Sequence, residues 1–203
     1  MSTKRTIVYF EKGGKEHTDE ALRIALEGAK ERSIDTVLVA TSTGYSGERA
    51  AEIFRGSGIK LVFVTHQTGY RGRGVQTLPP ETRKRLEQAG RVVTCTDALT
   101  GGVDVGMARQ VPEKTQPNES MLPFITPPFN TVIANTLRLI AHGVKVGAEI
   151  AMMATDCDAI PPGKPVVCLG GSHEGLDSAT VVLPAETNRM RSLKIQEILC
   201  KPI

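Results

Sequence analysis

Short apolar segments alternate with segments of helical periodicity along most of the chain. Residues 36–40 and 61–65 read TVLVA and LVFVT, and such continuously apolar runs are expected of strands that are covered on both faces. Between the strand candidates, apolar residues recur at three- and four-residue steps, as they do from Ala21 to Ala29. This alternation predicts a layered α/β fold with a largely parallel sheet.

The same pattern places the individual elements. The predicted strands are residues 6–10, 36–40, 61–65, 91–95, 165–169, 179–183 and about 193–199. The predicted helices begin at Thr18 as an N-cap, after a turn at residues 41–47, near residue 79 and at Thr126, with a further helix at 144–154. Gly143 is predicted to end the helix that Thr126 begins. Because no helix separates the last two strands, they are expected to pair antiparallel.

Composition and charge narrow the class of protein. The chain has 203 residues with 40% apolar and 23% charged residues, which predicts one globular domain over residues 1–203. A net charge of +3 does not favour nucleic acid as a partner, although it is compatible with a phosphorylated small molecule. No apolar run reaches the roughly 20 residues of a membrane span, so no membrane partner is predicted.

The four cysteines and the N-terminal segment bear on location and metal content. The cysteines form neither a CxxC motif nor a zinc spacing, and the first residues lack the apolar region of a secretory signal. These features favour the reducing cytoplasm. Asp156 and Asp158 lie close together, but no further oxygen ligands follow at a recognisable spacing, so no metal site is predicted. A homo-oligomer is compatible with the sequence.

The first turn, residues 41–47, reads TSTGYSG and connects a buried strand to a helix. Free backbone N–H groups and the positive end of the helix dipole meet at such a point, which suits an anion. Its hydroxyls would add donors, and its glycines would let a phosphate approach the backbone. There is no lysine as in an ATPase-type P-loop. The alternative is that the hydroxyls only cap the helix.

The second turn, residues 170–177, reads GGSHEGLD and also follows a buried strand. Three glycines in six positions exceed what a plain hairpin needs. Either they permit positive φ angles in an irregular turn or they clear space for a ligand.

Two stretches carry a resemblance to a known family. The run VLVATSTGYSGERAAEIFRGSGIKLVFVT and the later VVCLGGSHEGLDSATVVL resemble the C-terminal allosteric domain of pyruvate kinases, over roughly residues 35–95 and 144–199. The whole chain is more similar to stand-alone proteins of archaea and some bacteria that resemble this domain and carry no kinase barrel. The resemblance implies a three-layer α/β/α sandwich whose sheet is mostly parallel with an antiparallel C-terminal strand.

The resemblance also implies a ligand. In pyruvate kinase the turn that matches residues 41–47 holds a phosphate of a sugar bisphosphate effector, and the stand-alone proteins look like binders of FMN, which also ends in a phosphate. The first strand and helix, and an insertion at about residues 101–143, lie outside the kinase pattern. The identity of the effector therefore does not carry over.

The sheet order that the resemblance implies brings both turns to one crevice at the carboxyl ends of the strands. The loops after the third and fourth strands would form other walls, and there His66 either bonds a flavin ring edge or caps its own loop. The predicted ligand-binding residues are Thr41, Ser42, Thr43, Gly44, Ser46, Gly47, Thr65, His66, Gly101, Gly102, Gly170, Gly171, Ser172, Gly175 and Asp177.

Three functions are compatible with these features. The first is binding of FMN or a similar phosphorylated ligand, with flavin-dependent activity on an unknown substrate. The second is a non-catalytic regulatory module that senses a sugar phosphate. The third, RNA binding through the GYRGRG loop at residues 69–74, ranks last because that motif occurs once in a chain of low net charge. No local motif pairs a nucleophile with a base, so the sequence does not decide whether the protein is an enzyme.

Overall fold

The computed structural model describes residues 2–103 and 128–203. Within these residues, seven strands form one sheet in the order β1-β7-β6-β5-β2-β3-β4. The strands are β1 (Val8–Phe10), β2 (Thr36–Ala40), β3 (Lys60–Thr65), β4 (Gly90–Thr94), β5 (Val166–Gly170), β6 (Ser178–Leu183) and β7 (Lys194–Pro202). Strand β6 runs antiparallel to both of its neighbours, and the other strands run parallel to one another.

Five α-helices connect the described strands. They are α1 (Thr18–Glu31), α2 (Tyr45–Ile53), α3 (Pro80–Ala89), α4 (Phe129–Arg138) and α5 (His142–Asp156). A one-turn 3₁₀ segment lies at Lys15–His17, and a longer one, with a kink at Arg189, lies at Thr187–Ser192. The helix predicted to begin at Thr126 is observed from Phe129, and Thr126 itself lies outside the described residues.

The helices cover both faces of the sheet, and each face has its own apolar core. On one face, Leu22 of α1 and Leu86 of α3 belong to a buried cluster with Phe63 of β3. On the other face, Ile150 of α5 belongs to a cluster with Leu38 of β2. Apolar side chains alternate between the two faces along each strand, since successive residues point to opposite sides of a sheet. The predicted three-layer, mostly parallel α/β/α sandwich is confirmed.

Two helix boundaries differ from the sequence-based expectation. Thr18 is the first residue of α1 and not its N-cap, because its hydroxyl donates to the carbonyl of Lys15 (2.7 Å) and accepts from the N–H of Leu176 (3.0 Å). Gly143 was predicted to end a helix and is instead the second residue of α5. The helix before it ends at Arg138, and the extended backbone of Ala141 separates the two.

Gly143 serves the packing of α5 against the sheet. A Cβ atom at this position would lie 2.9 Å from the carbonyl oxygen of Gly170 and would collide with the side chain of Ser178. One turn later, a Cβ atom at Gly147 would lie 2.8 Å from the Thr180 hydroxyl. Two glycines four residues apart therefore let α5 approach β5 and β6 closely.

Helix α4 is less buried than its apolar stripe predicts. Its Ala134 is buried and packs with Leu99 and Met152, but Phe129 and Val132 are exposed. Within residues 2–103 and 128–203, no helix combines the length and the apolar character that crossing a bilayer requires.

The four cysteines are free thiols. Cys168 and Cys200 are buried in the core, and burial raises the pKa of Cys200 to about 12. Burial also raises the pKa of Cys95 to about 12. These thiols stay protonated at neutral pH, which suits a packing role.

Candidate functional site

A cavity of about 310 Å³ opens at the carboxyl ends of the parallel strands, around the boundary between β5 and β2. The chain leaves β2 through α2 on one face of the sheet, and it enters β5 from α5 on the other face. Ligands of open α/β sheets bind at such a switch point. Both the first turn and the second turn contribute residues to the cavity wall.

The first turn leaves several backbone donors unused. Gly44, the N-cap of α2, adopts a φ angle of 109°, a left-handed conformation that favours glycine. The Thr41 hydroxyl accepts the N–H of Gly47 at 3.3 Å and so stabilises the turn. Among the described residues, no acceptor exists for the N–H groups of Ser42 to Ser46. These amides, the hydroxyls beside them and the helix dipole form a cradle suited to an anion.

The second turn needs its glycines for its own construction. Gly175 has a φ angle of 80°, and a Cβ atom there would lie 2.6 Å from the Cα atom of Lys15. A Cβ atom on Gly170 would lie 2.6 Å from the carbonyl oxygen of Gly143, and one on Gly171 would collide with the carbonyl of Gly175. Of the two explanations for this glycine-rich segment, the structural one accounts for all three residues, although Gly171 and Gly175 also line the cavity.

Asp177 holds the second turn in place from inside the protein. This carboxylate is fully buried and accepts the N–H of Gly14 (3.2 Å), the N–H of Ser172 (3.1 Å) and the hydroxyl of Ser178 (2.9 Å). Asp177 does not line the cavity. Its contacts are those of a residue that positions the turn.

His66 faces the cavity from the loop after β3. Its Nδ1 atom lies 3.0 Å from Oδ2 of Asp97, a carboxylate that is 5% exposed in the loop after β4. The ring of Tyr70 stacks on the imidazole at 3.9 Å between centroids. Asp97 and Tyr70 fix the orientation of His66, and none of the described residues pairs with its Nε2 atom.

Helix α5 adds an ion pair that the sequence analysis missed. Lys145 and Glu149 are buried on the cavity wall and bond to each other one helical turn apart. Glu149 also accepts the N–H groups of Leu99 (2.8 Å) and Thr100 (2.9 Å), and Lys145 donates to the Thr100 hydroxyl (2.7 Å). The available signal was a lysine and a glutamate four residues apart in an otherwise mostly apolar helix.

His142, Arg138 and Arg71 place further nitrogen atoms around the cavity. Burial, followed by the positive charges of Arg138 and Lys145, lowers the pKa of His142 below its ordinary value. His142 is therefore neutral at neutral pH. A nearby anion would favour its charged form.

Two buried polar atoms of the cavity wall lack partners among the described residues. They are the hydroxyl oxygen of Thr65 and the Oδ1 atom of Asp97, both in side chains that line the cavity. Buried polar atoms are normally hydrogen-bonded, so these two atoms mark a surface where a polar ligand or water belongs.

The structure brings together a little more than half of the predicted ligand-binding residues. Those that line the cavity are Thr41, Ser42, Thr43, Ser46, Thr65, His66, Gly171 and Gly175. Those that do not line it are Gly44, Gly47, Gly101, Gly102, Gly170, Ser172 and Asp177. Gly44 and Gly47 shape the first turn, whereas Gly101 closes the adjacent loop by accepting the Gln67 amide. Within residues 2–103 and 128–203, no group of three or more His, Cys, Asp or Glu side chains could hold a metal ion.

No protein-family model matches the chain. A crystal structure of a pyruvate kinase from Cryptosporidium parvum is similar at 15% sequence identity and a TM-score of 0.39, covering 83% of this chain and 23% of that one. A second crystal structure of Cryptosporidium parvum pyruvate kinase is similar at 14% identity and a TM-score of 0.37, covering 83% and 22%. The chain thus spans less than a quarter of either kinase.

Both of these structures are pyruvate kinases. That this chain is a stand-alone protein of the archaeal and bacterial type stays a prediction. The similarity carries no statement about a ligand or an activity.

Proposed function

We propose that the cavity binds a phosphorylated small molecule, whose phosphate lies in the first turn. The observation that carries this proposal is the set of unused N–H groups from Ser42 to Ser46 at the start of α2, inside a cavity at the strand switch point. Backbone amides at a helix N-terminus can bind a phosphate without a lysine, because the helix dipole already favours the negative charge. The hydroxyls of Ser42, Thr43 and Ser46 supply further donors.

The charged side chains of the cavity wall balance one another. Lys145 pairs with Glu149, and Asp97 lies against His66, which carries a charge only when it is protonated. Arg71 and Arg138 add two positive charges, against the carboxylate of Glu174. With neutral histidines the three cationic side chains match the three carboxylates, so the amides and the helix dipole of the first turn supply the attraction for a phosphate.

FMN is the first ligand to test. Its phosphate suits the first turn, and its ring could lie along the apolar part of the wall, which Val64, Val146, Ile150 and Met153 form. The volume of about 310 Å³ is at the lower end of the roughly 300–1,000 Å³ of ligand pockets. FMN would supply redox chemistry when bound.

A sugar phosphate is the second candidate, and the unpartnered atoms favour it. The Thr65 hydroxyl and the free oxygen of Asp97 are suited to the hydroxyl groups of a sugar. In that case the protein could act as a regulatory module that senses the sugar phosphate.

Absorbance and thermal unfolding test the proposal together. The purified protein is examined for flavin bands, and its melting temperature is then measured with added FMN, sugar phosphates and inorganic phosphate. A ligand that binds only the folded state raises this temperature. We expect an increase that is lost in the variant Ser42→Ala/Thr43→Ala/Ser46→Ala.

The matched control replaces three exposed hydroxyls near the N-terminus, in Ser2→Ala/Thr3→Ala/Thr6→Ala, and should keep the full increase. If none of the phosphorylated compounds changes the melting temperature of the wild-type protein, the proposal is wrong. An increase that the cavity variant retains would place the phosphate elsewhere.

A further inference from the structure

The loop after β4 is held in place from two sides of the cavity. From the loop after β3, Gln67 accepts the N–H of Asp97 at 3.2 Å and donates to the carbonyl of Gly101. From α5, Glu149 accepts the N–H groups of Leu99 and Thr100. The side chains around this loop are therefore fixed before any ligand arrives, and such preorganisation is what a catalytic wall requires.

His66 is a base on this wall, and its orientation is fixed by Asp97. Asp97 bonds Nδ1 of His66, which leaves Nε2 available on a ring that lines the cavity. A carboxylate in this position selects the tautomer of the imidazole and stabilises the imidazolium after a proton is taken up. The arrangement needs no further movement to accept a proton.

The same wall presents a cationic donor. Lys145 is 3% exposed and lines the cavity. Its ammonium group has three donors, of which two bond Glu149 and the Thr100 hydroxyl. The third donor is available to an oxygen atom of the ligand.

The base lies next to the phosphate cradle. Strands β2 and β3 are neighbours in register, with Ala40 opposite Val64, and the N–H of Thr41 donates to the carbonyl of Val64 at 2.9 Å. Ser42 and His66 each lie two residues beyond the paired Ala40 and Val64, and both line the cavity. A group attached to a phosphate in the first turn can therefore reach His66.

From this arrangement we infer that the cavity is a catalytic site for proton transfer on a phosphorylated hydroxy-carbonyl compound, with His66 as the base. The inference rests on the proposed function, because the first turn must hold the phosphate. Nε2 of His66 takes the proton from the carbon beside the carbonyl, so that a C–H bond breaks and an N–H bond forms. The electron pair of that bond forms a carbon–carbon double bond, and the carbonyl electron pair moves to oxygen.

The resulting enolate oxygen accepts a hydrogen bond from Lys145, and the neighbouring hydroxyl of the substrate bonds the Thr65 hydroxyl. Return of the proton from His66 to the same carbon restores the starting compound and the neutral enzyme. Its return to the neighbouring carbon, together with transfer of the substrate hydroxyl proton to the enolate oxygen, gives the isomer. The step needs no oxidant, reductant or metal. Asp97 is a positioning residue in this scheme.

Exchange of hydrogen for deuterium tests the inference directly. Dihydroxyacetone phosphate and ribulose 5-phosphate are each incubated with the protein in D₂O, and loss of the C–H signals is followed by proton NMR. We expect exchange with the wild-type protein and a rate roughly 10²- to 10⁴-fold lower in His66→Gln, the usual contribution of a general base. His17→Gln, at a histidine that stacks on Phe10 and does not line the cavity, should keep the wild-type rate.

Asp97→Asn separates positioning from binding. We expect a lower exchange rate at saturating substrate with an unchanged half-saturating concentration, because the asparagine no longer selects the tautomer of His66. Loss of folded protein would also lower the rate at an unchanged half-saturating concentration, so circular dichroism must show that the variant is as fully folded as the wild-type protein; a lower rate that merely follows a lower folded fraction would overturn the positioning role.

Each outcome bears on one proposal. If inorganic phosphate raises the melting temperature while neither compound exchanges, the catalytic inference is wrong and the binding proposal stands. An exchange rate that His66→Gln leaves unchanged also overturns the inference, since identically purified variants carry the same contaminating isomerases. If inorganic phosphate, FMN and sugar phosphates all fail to bind, the proposed function itself is wrong.

Discussion

Lys145 and Glu149 form an ion pair in which both side chains are less than a tenth exposed, on helix α5, which packs against the sheet and lines the cavity. Glu149 satisfies two backbone N–H groups of the loop after β4 in addition to Lys145. The pair therefore connects α5 to the loop after β4, and this loop also carries Asp97, the partner of His66.

Removing one partner of this pair should destabilise the protein strongly. Lys145→Met leaves Glu149 as an uncompensated buried charge, and we expect a loss of about 3–5 kcal/mol in the free energy of unfolding. Lys145→Met/Glu149→Gln should lose much less, because glutamine is neutral and its carbonyl can still accept the two N–H groups. Urea unfolding measured by circular dichroism compares the three proteins. Equal losses in both variants would contradict an electrostatic origin.

Asp177→Asn should weaken the fold without removing ligand binding. The N–H groups of Gly14 and Ser172 both donate to Oδ2, and the asparagine oxygen can take that place, but it lacks the negative charge that strengthens these bonds. Its amide nitrogen would then face the Ser178 hydroxyl, which donates to the other carboxylate oxygen of Asp177, and we expect a total cost of about 1–3 kcal/mol. Thermal unfolding and phosphate binding are measured on the same preparation. A folded Asp177→Asn variant that no longer binds phosphate would show that Asp177 acts on the ligand.

The ion pair between Glu197 of β7 and Arg32, the residue after α1, should make the stability of the fold depend on pH in the acidic range. Arg32 donates to Glu197 at 2.7 and 3.1 Å, and this holds the pKa of the carboxyl below its ordinary value. Because the folded-state pKa is the lower one, the pair stabilises the protein above about pH 4.3, and this contribution is lost as pH falls through the folded-state pKa.

The variant Glu197→Gln checks the sign of this effect. Its melting temperature should lie below that of the wild-type protein at pH 7, and the difference should shrink towards pH 3. A difference that stays constant over this range would mean that the Glu197 charge does not stabilise the fold.

Gly143→Ala should cost stability through overpacking. The added Cβ would meet Ser178 and the carbonyl of Gly170, so α5 must shift, and inserting a methyl group into a packed interface costs typically about 1–3 kcal/mol. Gly72→Ala is a suitable control, because the nearest atom to its Cβ would be a methyl group of Val75 at 3.6 Å. The free energies of unfolding of the two variants, measured in urea, should differ by that amount. A neutral Gly143→Ala would mean that α5 can move away from the sheet without loss.

The sequence predicted the sheet well where side chains are buried on both faces. Strand β2 was predicted at its observed bounds and β3 within one residue, because continuously apolar runs of that length leave little alternative. The antiparallel pairing of β6 with β7 followed from the missing helix between them and is confirmed. An apolar run and the lack of a helix between two strands are properties of short segments, so the local sequence pattern is enough to predict them.

Features set by tertiary contacts were not predictable in the same way. A glycine such as Gly143 usually marks the end of a helix. Here a glycine is needed because the backbone of Gly170, which is distant in sequence, lies too close for a side chain. Lys145 and Glu149 lie within a helix whose burial depends on the sheet, and their partners Leu99 and Thr100 come from another loop. Asp177 was assigned to a ligand because it ends a glycine-rich turn, whereas its partner Gly14 comes from the opposite end of the chain.

The pairing of β1 with β7 has a consequence for how the molecule assembles. Val8 of β1 lies opposite Cys200 of β7, so one edge of the sheet joins two segments that are far apart in the sequence. Until β7 has emerged from the ribosome, the short β1 has no neighbouring strand in the sheet. Contacts between such distant residues slow folding, because a long loop must close before they form. Docking of β1 is accordingly expected to be among the last events of folding, after the sheet around the cavity has formed.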